Sequence, residues 1–259
     1  MKRLARCLVL WLGMAMALPA SAWAFSFSVE PSRIELSIPA GKRRGKTVTV
    51  DNSKSDRPMH LKVYVQDVAY LPDGTNDFLP VGSTAWSCAS WLQTTPTELD
   101  IPAGQTAEVR VSALVPAEAR GGHYAIIFFE TTPSYTEKGI GVNFRIGALV
   151  EITVPQTQVY QAKLVNLTWA PSQHIAVGLF NQGNVLVRPK GRLKILDHQG
   201  KVVVQQAFNP NRLGVLPGTT RQFDAPVEQA LAPGSYRLRA EIDYETAQLL
   251  VGELAISVE

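Results

Sequence analysis

The residues best suited to catalysis or metal binding are scattered along this sequence rather than clustered. Its four histidines stand far apart: His60, His123, His174 and His198. None lies at a metal-ligand spacing from a cysteine or carboxylate, and no nucleophile elbow or Gly-rich phosphate loop is present. Asp73 and Asp77 flank a turn, but their spacing departs from that of an EF-hand loop, whose distal glutamate is missing. We therefore expect a protein that is not an enzyme and that holds no metal or cofactor.

One arginine has the setting of a binding residue. Arg33 follows Pro31 within Phe27–Leu36, a segment in which apolar residues lie on either side of it. A guanidinium binds a carboxylate through two parallel hydrogen bonds, so an arginine held on a strand is suited to gripping an anionic group. Most arginines lie at the surface without such a role, and that alternative stays open.

The segment Met1–Ala24 has the features of a cleavable secretory signal. A basic start precedes an apolar run and a small-residue cleavage site: Lys2, Arg3 and Arg6, then Leu8–Leu18, then Ala22-Trp23-Ala24. The apolar run is shorter than the roughly 20 residues that a membrane span needs, so we expect an exported, soluble protein. Of 25 basic residues three lie in this leader, leaving 22 against 22 acidic ones, a balance that argues against nucleic-acid binding.

After the predicted cleavage site the sequence contains a single cysteine, Cys88. An internal disulfide is then excluded, and the thiol is either buried near Trp86 and Trp91 or used in a bridge to another chain. Without a disulfide, the fold must be stabilised by its apolar core.

The longest regular pattern lies in Gly121–Pro155. Its first part, His123–Glu130, is a nearly continuous apolar run, as expected of a strand buried on both faces or in the core of a sandwich. After a predicted loop at Thr131–Gly141, a second strand is predicted over Val142–Val154. There every second residue is apolar: Val142, Phe144, Ile146, Ala148, Val150, Ile152 and Val154. If this strand lies at a sheet edge, its unpaired backbone groups must be covered or must bind another strand.

The same spacing of short strands and turns extends over the rest of the chain, without a convincing helix. This pattern predicts an all-β protein with two immunoglobulin-like β-sandwich domains, at residues 25–155 and 156–259.

Several of these segments, in order, resemble the first domain of periplasmic pilus chaperones of the PapD-like family. They are Phe27–Leu36 (FSVEPSRIEL), Trp91–Gly104 (WLQTTPTELDIPAG), Val109–Val111 and the Gly121–Pro155 pair. The second domain is less similar to that family. Its segments Asn181–Lys190 and Leu231–Tyr244 resemble WxL-interacting bacterial surface proteins.

The resemblance implies two sandwiches set at an angle and a donor strand at the end of the first. By this resemblance Val142–Val154 donates a strand to an incomplete subunit, and Arg33 grips the carboxylate at the subunit's C-terminus. The family's second cation, a lysine, would fall at Val150, and Val142–Val154 contains no lysine. The implied subunit-binding residues are Arg33, Val142, Phe144, Ile146, Ala148 and Val150.

The resulting hypothesis is a periplasmic chaperone that caps exported pilus-like subunits, with an outer-membrane usher as a further partner. Apolar side chains entering a subunit groove and a ladder of backbone hydrogen bonds would supply the affinity. The alternative is an exported, non-catalytic binding module or adhesion accessory protein at the cell surface. Its contacts would come from the predicted basic loop Lys42–Lys46 and from Tyr135.

Overall fold

The structure is a computed structural model, which describes residues 27–132, 135–137, 140–170 and 173–258. The signal peptide predicted at Met1–Ala24 lies outside these residues. Within them there is no α-helix, and the one helical element is a 3₁₀ turn at Ala89–Trp91. None of the described segments forms a helix of the length and apolarity needed to cross a membrane.

The described residues form an all-β protein, as the sequence predicts. The first twelve strands are β1 (Ser28–Glu30), β2 (Arg33–Ser37), β3 (Arg43–Asp51), β4 (Met59–Tyr70), β5 (Asn76–Leu79), β6 (Leu92–Thr95), β7 (Glu98–Ile101), β8 (Thr106–Leu114), β9 (Gly121–Thr131), β10 (Tyr135–Glu137), β11 (Ile140–Val142) and β12 (Arg145–Val154). The remaining strands are β13 (Ala162–Ala170), β14 (His174–Asn181), β15 (Lys190–Leu196), β16 (Val202–Phe208), β17 (Thr220–Pro226), β18 (Gly234–Asp243) and β19 (Leu249–Val258).

Two sheets of the N-terminal half pack into the first immunoglobulin-like sandwich. One has the strand order β1-β3-β8-β6, and the other has the order β2-β12-β9-β4-β5, with β7 also paired to β4. Alternate residues of both sheets point into one shared core, as period-two sequences require. Its largest fully buried side chains are Ile34, Ile38, Leu61, Ile101, Ile127, Phe129 and Ile152.

The C-terminal half forms the second sandwich by the same principle. Its sheets have the strand orders β13-β14-β17 and β16-β15-β18-β19. Its core is separate from the first, and its largest fully buried side chains are Ile175, Leu179, Leu193, Ile195 and Phe208. The predicted boundary at residue 156 lies between β12 and β13 and stays a prediction.

A third apolar cluster lies between the sandwiches and explains the unbroken apolar run of β9. Ala125, Ile127 and Phe129 face the first core, whereas Tyr124, Ile126 and Phe128 belong to a separate outer cluster to which the second sandwich contributes. The cluster contains Val68, Tyr124, Ile126 and Phe128 from the first sandwich and Leu186 and Leu216 from the second. The backbone amide of Leu186 donates a hydrogen bond to the Tyr124 hydroxyl, at 2.5 Å, so the contact between sandwiches includes directional bonds as well as apolar packing.

The N-terminal strand changes sheets at Pro31, which divides the alternating segment of the sequence in two. β1 pairs with β3 in one sheet, and β2 pairs in parallel with β12 in the other. Because proline lacks a backbone donor, it fits the point where a strand leaves its ladder.

The basic segment predicted as a loop, Lys42–Lys46, is instead mostly strand. Arg43–Lys46 begin β3 and pair with β8. The prediction was wrong because strand formation here depends on the ladder to β8, while the basic side chains themselves are exposed and give no apolar alternation.

Cys88 is fully buried in the first core, which confirms the buried alternative for this thiol. Burial, with the charge of Asp67 as the second cause, raises the pKa of the Cys88 thiol far above its usual range. The folded protein therefore keeps the thiol protonated and unreactive.

We predict that this thiol resists labelling in the folded protein. A chain lacking Met1–Ala24, which retains Cys88 as its one cysteine, should react with a thiol reagent at pH 8 at least about 100-fold more slowly than the same chain in denaturant. The absorbance of the released reagent measures both rates. Fast labelling of the folded chain would contradict the burial of Cys88.

Candidate functional site: an open strand edge beside an interdomain cleft

The predicted continuous strand Val142–Val154 is wrong, because the chain leaves the ladder at Asn143 and Phe144. β12 pairs with β9 only from Arg145 onward, while β11 pairs with β10 in a separate two-stranded ladder. The predicted loop at Thr131–Gly141 therefore contains strand residues. At the break, the Thr131 amide still donates to Phe144 O at 3.0 Å, but the Phe144 amide donates to the side-chain oxygen of Thr131 at 3.0 Å instead of to its carbonyl. The apolar alternation continues through this break, which is why the sequence does not reveal it.

One side of β12 is only partly covered. β2 pairs with residues 149–153 of β12, and no described strand pairs with residues 145–148 on that side. The Leu149 amide donates to Ser32 O at 3.0 Å, which fixes the direction in which its backbone groups point. Because successive residues of a strand alternate, the N–H and C=O groups of Arg145 and Gly147 point toward the same side, where the edge is open.

The apolar side chains predicted to bind a subunit differ in their exposure. Val142 and Phe144 are 40% and 38% exposed, and Ile146 is partly buried against the first core. Ala148 and Val150 are fully buried in that core. The assignment of Ala148 and Val150 as subunit-contacting side chains is therefore corrected, because both are packed inside the first sandwich. Of the predicted apolar contacts, only Val142 and Phe144, which lie beyond that core, are exposed.

On the face of β12 that points away from the first core, Arg145 packs against aromatic side chains. The Arg145 guanidinium lies 4.2 Å from the ring centre of Phe128, which is edge-on to Phe78. Arg145 Nη1 also donates to the Tyr64 hydroxyl at 3.5 Å, and that hydroxyl donates to Glu130. Burial raises the pKa of Tyr64, so the hydroxyl keeps the proton that it donates. These contacts fix the beginning of β12.

At the other end of β12, a buried carboxylate joins the two sandwiches. Glu151 Oε1 lies 3.2 Å from Arg33 Nε and 2.5 Å from Arg188 Nη2, and the glutamate side chain is 8% exposed. Burial alone would lower the pKa of Arg188, but the hydrogen bond and charge of Glu151 outweigh it and the pKa is raised. Arg188 is therefore held as a cation beside Glu151.

The cleft around this pair has a volume of about 680 Å³. Apolar and aromatic wall residues come from both sandwiches, including Tyr124, Tyr160 and Leu186. Its charged wall residues are Glu35, Glu151, Arg188 and Glu245. The cleft is thus a mixed polar and aromatic space, with more acidic than basic residues in its walls.

In the structure Arg33 lies beside a carboxylate of the same chain, Glu151. Its role toward another chain's carboxylate stays a prediction. Arg188 was missed because its partner lies 37 residues away in the sequence. The sequence offered one weak indication of Glu151, because it is the one carboxylate within the predicted strand Val142–Val154.

The histidines and acidic residues show no arrangement suited to a metal. Among the residues that the structure describes, no group of three or more histidine, cysteine or carboxylate side chains could hold an ion. His60 Nδ1 lies 2.7 Å from Asp100, and the ring of His123 lies 4.3 Å from that of Trp91. Both histidines thus have ordinary structural neighbours.

Comparison with known proteins shows the fold. No protein-family model and no curated protein matches the chain. A chain from the chaperone–tip adhesin complex of CFA/I fimbriae biogenesis is 19% identical, with a TM-score of 0.52, covering 88% of this chain and 98% of that one. The class 5 fimbriae chaperone CfaA is 18% identical, with the same TM-score and coverage. The Salmonella enterica SafA pilin–SafB chaperone complex matches at 12% identity, TM-score 0.48, covering 91% and 97%.

This chain has the fold of the fimbrial chaperones, two immunoglobulin-like sandwiches. The resemblance inferred from the sequence segments is thereby confirmed at the level of fold.

We predict that Arg188→Ala destabilises the protein, because it leaves the buried Glu151 carboxylate without its shorter charge-assisted bond. The expected loss in the free energy of unfolding is about 1–3 kcal/mol, measured by urea denaturation. Arg237→Ala is the matched control, since Arg237 is 65% exposed and lies 4.0 Å from Glu253. It should cost under about 1 kcal/mol. Equal losses for the two variants would contradict the structural role of Arg188.

Proposed function

We propose that this protein is a periplasmic chaperone for fimbrial or other pilus-type subunits, to which it donates a strand. The contact would be the open edge of β12 together with the exposed apolar residues that precede it, Val142 and Phe144. The observation that carries this proposal is the coincidence of the two features. Backbone groups at Arg145 and Gly147, which no described strand pairs on this side, adjoin exposed apolar side chains on one continuous stretch of chain.

An incomplete immunoglobulin-like subunit would present the complementary surface. A sheet that lacks a strand exposes an apolar groove and rows of unpaired backbone groups, which are costly to leave unsatisfied. Fully burying a side chain such as Val or Phe contributes about 1.5–3 kcal/mol. Each added ladder bond contributes about 0.5–1.5 kcal/mol. Val142, Phe144 and a few backbone bonds would therefore contribute on the order of several kcal/mol before the costs of association.

The edge has a defined end, which would set the register of the bound strand. Residues 149–153 of β12 are paired with β2, so a partner strand extending along residues 145–148 would meet the chain at Ser32 and Arg33. Arg33 is half exposed at this junction. We propose that it contacts the end of the bound segment.

The comparisons support this partner class. SafB is a chaperone in complex with the SafA pilin, and the CFA/I structure is a chaperone–tip adhesin complex. For this chain a pilus-like subunit, an outer-membrane usher and a periplasmic location are proposals, as is a non-catalytic role.

Substitution at the edge tests this function. We predict that Val142→Asp combined with Phe144→Asp lowers recovery of a small, β-rich secreted partner from periplasmic extract, measured by affinity purification and mass spectrometry. Loss of about 3 kcal/mol of apolar contact corresponds to binding weakened by roughly 100-fold. Both residues lie outside the packed core, so the variant should fold.

The control is Val165→Asp combined with Val251→Asp, two equally exposed valines of the second sandwich. This control should retain the partner. A partner recovered equally with the edge variant and the wild type would refute strand donation. If that partner is a surface polymer or receptor, the binding-module alternative is supported instead.

A further inference from the structure

We propose that the second sandwich carries a binding groove of its own, which takes an extended peptide segment with alternating basic and apolar residues. The groove lies between β16 and β17 and is separate from the open edge of β12. This inference goes beyond the proposed function and does not depend on it.

The groove lies where both sheets of the second sandwich end. β16 is the last strand of one sheet and β17 is the last strand of the other, so neither has a described strand as a partner on its outer side. Residues of both strands line a cavity of about 630 Å³ between them. A sheet edge of this kind can add an extended peptide through backbone hydrogen bonds.

A contact with the first sandwich shows that the edge of β17 pairs with a further backbone group. Gln222 N–H donates to Pro72 O, in the turn between β4 and β5, at 2.8 Å. Gln222 therefore points its backbone groups away from β14, and Asp224, two residues further on, points its N–H and C=O the same way. No described strand pairs with Asp224 on that side. The edge ends at Pro226, which has no backbone donor.

The same turn of the first sandwich closes one end of the groove and engages its basic residue. Arg221 is the one cation among the described residues that line the groove, and it is 8% exposed. Its guanidinium donates to Gly214 O at 3.0 Å and lies over the ring of Tyr70. Gly74 lies directly against it, with a φ of +87°, where a Cβ atom would clash. The charge of Arg221 is thus used within the contact between the sandwiches.

The exposed charge of the groove is acidic. Asp73, Asp224 and Glu228 line the groove and are exposed, and none lies within 4.0 Å of a described basic side chain. By contrast, three carboxylates elsewhere in the second sandwich are paired with lysine or arginine: Glu241, Asp243 and Glu253. The groove therefore presents unbalanced negative charge, which complements lysine or arginine side chains of a bound segment.

The walls also determine where each kind of side chain would lie. Successive side chains of an added strand alternate between the two faces of the sheet. Phe223 is buried in the core of the second sandwich, so its neighbour Asp224 points to the outer face. Basic side chains of the bound strand would lie beside Asp224. The alternate, apolar side chains would face Phe223 and Phe208, whose ring centres lie 5.0 Å apart at the groove.

The test titrates the chain lacking Met1–Ala24 with a hexapeptide of sequence Lys-Val-Lys-Val-Lys-Val, labelled with fluorescein at its N-terminus and amidated at its C-terminus. The matched probe has glutamate in place of each lysine. Fluorescence anisotropy should show that the wild type binds the basic peptide at least about ten times more tightly than the acidic one. Amide exchange at Asp224 should slow at least about tenfold on binding, with little change at Phe223, which is paired with β14.

Charge reversal locates the site. Asp224→Lys combined with Glu228→Lys should weaken binding of the basic peptide at least about tenfold. The matched control is Glu108→Lys combined with Glu118→Lys, which makes the same change in net charge at exposed positions of the first sandwich. This control should bind as the wild type does. Equal weakening in the two variants would overturn the inference, because binding would then follow net charge alone.

Two further results would overturn the inference without depending on those variants. One is equal affinity of the wild type for the two peptides, or no binding of the basic peptide at about 1 mM. The other is loss of peptide binding in Val142→Asp combined with Phe144→Asp, which would place the peptide on the edge of β12. Unchanged binding in that variant supports a separate groove. The recovery experiment with the same variant reports on the secreted partner, so failure of the proposed function leaves the groove's test intact.

Discussion

The function proposed for this protein depends on how far β12 is paired. A strand in the middle of a sheet needs a partner on each side, and β12 has β9 on one side along its whole length. On the other side β2 begins at Arg33, because the chain has just crossed from the opposite sheet at Pro31. That crossing leaves residues 145–148 without a described strand partner on one side and places Arg33 where the open edge ends.

The same crossing organises the electrostatics of the cleft. β2 brings Arg33 beside Glu151, and the second sandwich contributes Arg188 to the same carboxylate oxygen. A buried carboxylate of this kind is tolerated only with such partners, so the ion pairs constrain how the sandwiches meet. The aromatic outer face of β9 adds apolar contact to these charges. The sandwich that carries the open edge is thus stabilised by its packing against the second sandwich.

Fold class was predictable from the sequence because period-two alternation and regularly spaced turns are local signals. The run at His123–Glu130 also indicated a strand buried on both faces or in the core of a sandwich, and β9 is buried along nearly its whole length. Three features were not predictable. The break at Asn143 and Phe144 interrupts the regular strand pairing, although the Thr131 amide still donates to Phe144 O at 3.0 Å, and it leaves the alternation intact. The burial of Ala148 and Val150, in contrast to the exposure of Val142, depends on where the facing sheet ends. Arg188 reaches Glu151 only through the packing of the two sandwiches.

Amide hydrogen exchange of β12 in the presence and absence of a captured subunit tests strand donation most directly. In the chain alone, the amides of Ile146 and Ala148 point toward β9 and should be protected, whereas those of Arg145 and Gly147 point to the open side and should exchange rapidly. On binding, the account predicts that exchange slows at least tenfold at Arg145 and Gly147, with little change at Ile146 and Ala148. A bound subunit that leaves exchange at Arg145 and Gly147 unchanged would contradict it.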